Sequence, residues 1–371
     1  MKVVFISTMR GWQWGGSEEL WSQSAAALKS AGDEVVVCIP DWPKRARKVA
    51  ELATLGIPIH THSMGSHRSI IRRVWRKLTY DPKNAPRWFA QCRPDLVVIS
   101  QGHNSGGFGW ARICRDARIP YIVIVHCNSE SWWFGDELND ALECYTSARK
   151  VFCVSERNLA LLRLQLCDPI PDAEIVRNPF NVSCEPAPAW PGSTSGWKIA
   201  CVARIDAAAK GHDLLLQTLA SPIWRDRHVE LNLFGSGPDE ALLRKMAAAL
   251  DLKNIRFRGH IPDVRKIWEE NHILALPSRF EGLPLALVEA MWCARPAVVT
   301  DVGGNTELCV EGKTGFVAPA PTLEFFSSAL ERAWTMREMW HDMGQAARLL
   351  VEGRIPKDPV KAFCSRLREL A

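Results

Sequence analysis

The chain has 371 residues, 47% of them apolar and 23% charged, with a formal net charge of +5. That length exceeds what one hydrophobic core usually serves, so two domains of about 170 to 190 residues each are expected. No run of about 18 apolar residues occurs, which excludes a hydrophobic membrane-spanning helix. The twelve cysteines show no Cys-x-x-Cys pair and no regular spacing. Several, including Cys38, Cys153 and Cys201, lie inside apolar runs. They read as buried reduced thiols, and the apolar start Lys2-Val3-Val4-Phe5-Ile6 is too short for a signal-peptide core, so a cytoplasmic location is expected.

The charge is uneven: residues 1–180 carry the whole excess of +5 and residues 181–371 are neutral. Within residues 44–77 stand nine basic side chains and one acidic. There Arg68, Arg72, Arg73, Arg76 and Lys77 interleave with Ile70, Ile71, Val74 and Trp75. This pattern fits an amphipathic helix resting peripherally on an anionic membrane, and equally an ordinary helix with a solvated face and a core-facing stripe. No nucleic-acid recognition motif accompanies the basic residues, so nucleic acid is not an expected partner.

In chain order, residues 2–8 read as a buried strand. They lead into Trp12-Gln13-Trp14-Gly15-Gly16-Ser17, where the glycine pair allows close backbone approach and Ser17 is a plausible N-cap for the next helix. Further aliphatic strands are expected at 34–39, 57–62, 95–100, 121–126 and 150–155, separated by helix-length segments. That rhythm predicts a parallel, doubly wound sheet. Its polar loops at 101–107 and 126–133 hold His103, His126, Asn128, Trp132 and Trp133. Five of the sixteen tryptophans, Trp12, Trp14, Trp21, Trp132 and Trp133, fall in or beside the loops at 10–17 and 126–133; aromatic faces suit sugar rings or lipid-like groups, and equally suit cores.

A first domain over 1–180 gives way to a Pro-rich, then Gly/Ser-rich linker at 181–196. A second domain at 197–356 opens with a strand ending near Arg204, followed by Lys210-Gly211 before a new helix. The segment 231–238 reads as a strand ending in the small-residue turn Gly235-Ser236-Gly237, and 255–259 as a strand followed by His260 and Ile261. The apolar run 272–277 is short enough for a strand buried on both faces. After it come Glu281-Gly282-Leu283-Pro284 and then Glu289, with Pro284 suited to a first helical position. Strand, glycine-containing loop and helix start together form an anion site at the carboxyl edge of a parallel sheet, and flanking carboxylates suit sugar hydroxyls. A final helix over about 357–370 completes the chain.

The setting Glu281-Gly282-Leu283-Pro284-Leu285 with Glu289-Ala290-Met291, preceded by Arg204 and Lys210, resembles the family 4 retaining glycosyltransferases of GT-B fold. The resemblance implies two Rossmann-like domains facing a central cleft, with the C-terminal helix over 357–371 crossing back to the first. It implies that Arg204 and Lys210 neutralise a departing nucleotide diphosphate, that Glu281 contacts donor-sugar hydroxyls, and that Glu289 contacts the ribose. It also implies that His126 reaches the donor sugar and that Gly15 and Gly16 face the diphosphate. By the same resemblance Gly235, Gly237, His260, Ile261, Gly282 and Leu283 line the nucleotide. The acceptor then falls to the first domain, with Trp12, Trp14, His103, Asn128, Trp132 and Trp133 as candidates. The chain departs from the family at Asn178-Pro179-Phe180-Asn181, where Asn-Gly-Val-Asp is usual.

The implied reaction is configuration-retaining transfer of a sugar from a nucleoside diphosphate donor to an acceptor hydroxyl, in glycan or glycolipid biosynthesis. UDP is the first expectation for the donor and GDP the second, by family frequency. No Asp-x-Asp pair is present to hold a metal on a diphosphate, so no metal and no cofactor beyond the donor are expected. A nucleotide-sugar 2-epimerase of the same fold, or a non-catalytic nucleotide-sugar-binding protein, are the alternatives.

Overall fold

The computed structural model describes residues 1–63, 86–182, 186–192 and 196–371. The chain divides into two compact units, one of Met1–Pro179 with Asp358–Ala371, the other of Phe180–Lys357.

Among the described residues the first unit holds seven strands: β1 (Lys2–Ser7), β2 (Glu34–Pro40), β3 (Ile59–His62), β4 (Leu96–Gln101), β5 (Tyr121–Val125), β6 (Lys150–Cys153) and β7 (Ala173–Ile175). All pair in parallel, in the order β3-β2-β1-β4-β5-β6-β7. Every residue of β4 and β5 is buried, the burial on both faces that makes a strand read as an unbroken aliphatic run. The helix Ser17–Ser30 covers the sheet with Leu20, Trp21, Ala25 and Leu28, which share one face. Its N-cap is Gly16 and no side chain caps it, so the expected capping role of Ser17 is not taken up. Ser17 is already helical, and its hydroxyl turns to the Met9 sulfur at 3.4 Å. β7 was not expected: it has three residues, and its central Glu174 masks any apolar run. An edge position tolerates that charge, which Lys150 meets at 2.9 Å.

The helix Pro359–Leu370 belongs to this unit. Asp358 caps it, accepting from the Lys361 amide at 2.8 Å. Arg366 grips Glu174 through two bonds of 2.6 and 2.9 Å, Arg368 meets Asp33 at 2.9 Å, and Phe363 packs edge-on against Phe152. The Arg366 guanidinium holds the Glu174 carboxyl down at about 2. Of the basic segment 44–77, residues Arg47–Thr54 form a helix in which Lys48 is committed to Glu19 at 2.5 Å. Arg68, Arg72, Arg73, Arg76 and Lys77 lie outside the described residues. No described helix is long and apolar enough to cross a membrane.

The second unit holds β8 (Trp197–Val202), β9 (Val229–Phe234), β10 (Ile255–Gly259), β11 (Ile273–Leu276), β12 (Ala297–Thr300) and β13 (Gly315–Ala318). They form a parallel sheet in the order β10-β9-β8-β11-β12-β13. The described part of the segment expected as a linker is fastened to this unit. Asn181 donates its amide to Glu289 at 2.9 Å, Phe180 stacks on Trp292, and Arg295 donates to the Ala189 carbonyl at 2.7 Å with its guanidinium over Trp190. Its proline-rich composition predicts extended backbone, and these anchors, invisible in composition, make it part of a domain.

In each sheet the order reverses beside the first strand of the unit, between β1 and β4 and between β8 and β11. Loops leaving the carboxyl ends on either side of such a reversal diverge and open a crevice.

Candidate active site

Charged pairs bridge the crevice of the second unit. Arg204 lies just beyond β8, and Lys210 ends the short helix Ala207–Lys210, whose N-cap Asp206 accepts from the Ala209 amide at 3.2 Å. Across the reversal, Glu281 stands in the loop after β11, only 7% exposed. Lys210 Nζ meets Glu281 Oε1 at 2.5 Å, and the Ser278 hydroxyl donates to the same oxygen at 2.8 Å. Arg204 is steered by Asp206 at 3.2 Å. Glu289, 4% exposed, occupies the second turn of the helix Leu285–Trp292. Pro284 is the N-cap of that helix, extended at ψ 127°, one position earlier than expected.

A clamp that sequence reading did not single out sets this geometry. Arg279 makes two 2.8 Å bonds to Asp213 and donates to the Ala207 carbonyl at 2.6 Å, while its own amide donates to Ala209 at 2.8 Å. Burial pushes the Asp213 carboxyl up, but the Arg279 guanidinium more than offsets this and holds it low. The loop after β11 is thus stapled to the loop after β8. Gly211, at φ +66°, lets them meet, since a Cβ there would lie 2.0 Å from the Pro277 carbonyl oxygen.

The neighbouring loops close in by the same means. A Cβ on Gly235 would stand 2.0 Å from the Ala203 carbonyl, and one on Gly237 2.2 Å from that of Ile205. Gly235 donates to Gly259, which brings the turn after β10, with exposed His260 and half-buried Ile261, beside the turn after β9. Gly282 accepts from the Gly304 amide at 2.6 Å, and Leu283 is buried. The structure therefore gathers Arg204, Lys210, Glu281, Glu289, Gly235, Gly237, Gly282 and Leu283 at one sheet edge, with His260 and Ile261 at its border.

The first unit holds the remaining candidates. His126, 4% exposed, follows β5, and its Nε2 pairs with the Ser100 hydroxyl at 3.1 Å. Burial drives its pKa down to about 3, offset in part by Asn178, so the ring is neutral. Gly15 and Gly16 precede the first helix, Gly15 close to the Met9 side chain. Trp12 is half-buried; Trp14 donates its indole N–H to Glu19 at 2.8 Å and packs beside Trp21. His103 meets Trp132 edge-on at 5.7 Å, and Trp133 is 63% exposed. Asn128, 3% exposed, meets Asn158 on both sides of its carboxamide, donating to the Asn158 carbonyl at 2.8 Å and accepting from the Asn158 side-chain amide.

A sequence profile described as Glycosyltransferase Family 4 matches residues 14–183, and one described as Glycosyl transferases group 1 matches residues 196–336. An uncharacterised glycosyltransferase of Haemophilus influenzae is 33% identical over 150 residues, 38% of this chain and 41% of that protein. An alpha-D-kanosaminyltransferase of Streptomyces kanamyceticus is 32% identical over 147 residues, 38% of this chain and 37% of that protein. The chain thus spans about two-fifths of the length of these relatives. Among solved structures, Anabaena HepE in complex with UDP-glucose aligns over 100% of both chains with a TM-score of 0.76 and 16% identity. Paired parallel-sheet α/β units of this kind define the GT-B fold. The chain belongs to glycosyltransferase family 4.

Proposed function

We propose that the protein is a retaining, metal-independent glycosyltransferase that moves a sugar from a nucleoside diphosphate donor to an acceptor hydroxyl, in glycan or glycolipid assembly. The observation that carries this reading is the Lys210–Glu281 pair bridging the sheet reversal of the second unit, with Arg204 beside it. In this reading Arg204 and Lys210 take up the charge that grows on the diphosphate as it leaves, a task for fixed, preorganised donors. Arg204 offers a planar fork and Lys210 a point charge. Glu281 accepts from donor-sugar hydroxyls, and Glu289 from the ribose. His126, neutral by burial, offers a hydrogen bond to the sugar without adding charge. Gly15, Gly16, Gly235, Gly237, Gly282 and Leu283 admit the nucleotide, with backbone groups at His260 and Ile261 against the base.

Retention follows if the acceptor attacks the face the diphosphate leaves, with a diphosphate oxygen taking the acceptor proton. Two cations at the diphosphate supply the charge a metal would bring, which supports turnover without one. UDP is the favoured donor base, in line with the UDP-glucose complex of HepE, and GDP the second. The enzyme acts in the cytoplasm, peripherally at the inner face of a membrane if the basic segment 44–77 meets anionic lipid.

Thermal shift with a panel of UDP- and GDP-sugars selects the donor. Release of the nucleoside diphosphate is then followed with glycan, lipid-linked and small-molecule alcohols. Isomerised sugar formed from the donor alone, with no transfer, would replace this reading by a 2-epimerase.

A further inference from the structure

The first unit buries a network of neutral amides that the donor chemistry leaves unused. Gln165, 3% exposed, lies in the last turn of the helix Glu156–Leu166, whose Leu159, Leu162 and Leu166 fix it to the core. Its amide nitrogen donates to the carbonyls of Ser129 at 2.8 Å and Trp132 at 3.1 Å. Its amide oxygen accepts from Asn104 at 2.9 Å. Asn104 is 1% exposed, and its carbonyl receives the Tyr145 hydroxyl at 2.6 Å. One carboxamide therefore joins the loop after β4, which carries His103, to the loop after β5, which carries Trp132 and Trp133.

The rings on those loops are held at fixed angles. His103 sits edge-on to Trp132. Trp133 donates its indole N–H to the Glu130 carbonyl at 2.8 Å, and the Glu130 carboxylate meets Arg157, from the helix of Gln165, at 3.5 Å. An exposed, oriented indole face suits a ring with an apolar face and a polar rim, which is the chemistry of a glycoside. Binding to a platform already in place avoids the entropy of ordering it. Breaking one link of a buried amide network strands its partners, so the geometry is specified sharply.

We infer that Gln165 is a positioning residue for the acceptor, holding the Trp132–Trp133 platform against which a glycoside acceptor packs. This rests on the glycosyl transfer proposed above and on the expectation that these loops meet the acceptor. The full-length enzyme is assayed with UDP-glucose as donor and octyl β-D-glucopyranoside as acceptor probe. Gln165→Leu raises the acceptor KM about 10- to 100-fold, the loss expected when buried carbonyls and an amide lose their partner. The donor KM stays within about twofold, because Arg204, Lys210, Glu281 and Glu289 lie in the second unit and His126, at the start of the loop after β5, is held by Ser100 and not by Gln165. Gln165→Glu keeps the side chain's size and the acceptor for Asn104; protonated by burial, it still donates to one of the two carbonyls, so it is the milder variant should the leucine variant fail to fold, and gives a smaller rise. In a Trp132→Ala background Gln165→Leu adds nothing, because both act through one platform. A lower Tm with unchanged acceptor KM, or effects that multiply in the double variant, overturns the positioning role and leaves the platform standing. A Trp132→Ala enzyme with unchanged acceptor KM, or wild type that does not saturate with the probe, overturns the platform itself.

Discussion

The two sheet edges that carry the candidate residues are built from opposite materials. In the second unit the loops after β8 and β11 are joined by charge, Lys210 to Glu281 and Arg279 to Asp213, and by glycines that let backbones touch. In the first unit the loops after β4 and β5 are joined by the neutral carboxamides of Gln165 and Asn104, with Tyr145 holding the first loop and Asn158 the second. The contrast separates two tasks. A leaving diphosphate needs preorganised positive charge. A neutral acceptor needs shape and hydrogen bonds, and a stray charge near it would only add a desolvation cost.

The comparison can be broken at the charged edge first. Arg204→Ala or Lys210→Ala is expected to lower kcat about 100- to 1000-fold, the usual cost of one electrostatic donor. Near-wild-type turnover in single-turnover assays would remove the charged edge from the chemistry. In the first unit Glu18 is a buried carboxyl, and burial raises its pKa from 4.5 to about 7 despite the Ser7 hydroxyl at 2.8 Å. Between those values the folded chain keeps a proton that the unfolded chain releases, so stability falls as pH rises from 4.5 to about 7. Glu18→Gln should remove that slope and stabilise the protein above pH 7 by on the order of 3 kcal/mol, read as a rise in the urea midpoint.

The next effect is steric. Gly211→Ala forces a Cβ to 2.0 Å from a carbonyl oxygen at φ +66° and should cost about 1–3 kcal/mol through strain, seen as a lower urea midpoint. Acid should also distinguish the units. Burial lowers His212 and His272 of the second unit from 6.5 to about 4. The unfolded chain takes up protons first as pH falls through that window, so the second unit loses stability there. In the first unit His126 acts in the same sense, but Glu18 opposes it down to 4.5. Hydrogen exchange at pH 6.5 and 4.5 should show protection falling more in the second unit. Smallest of all, EDTA should leave the rate within about twofold if Arg204 and Lys210 neutralise the diphosphate unaided. A metal requirement would sharpen the comparison by showing that charge on one edge is not enough.

Much of the architecture was legible because it rests on local pattern. Aliphatic runs doubly buried announce strands, and the glycine and proline punctuation places the loops. β7 escaped because three residues with a central glutamate carry no apolar signature, and the stretch 181–196 looked like a linker because composition cannot show that Arg295 and Glu289 hold it. Within the candidate site, Arg204, Lys210, Glu281 and Glu289 stood out by motif, whereas Arg279, Asp213 and Gln165 did not, since each works through a partner far along the chain.

What the sequence by itself determined was the kind and order of the elements and the chemical types waiting at their ends, because those depend on neighbours a few residues away. Tertiary structure decided which ends meet. Lys210 touches Glu281 across 71 positions because reversed strand order sets the loop after β8 beside the loop after β11, and Gln165 reaches Asn104 across 61 because β4, β5 and β6 are neighbours and the helix after β6 meets the loop after β4. Close approach of backbones at Gly211 and Gly235 completes the fit, and no local pattern records how near two distant segments must come.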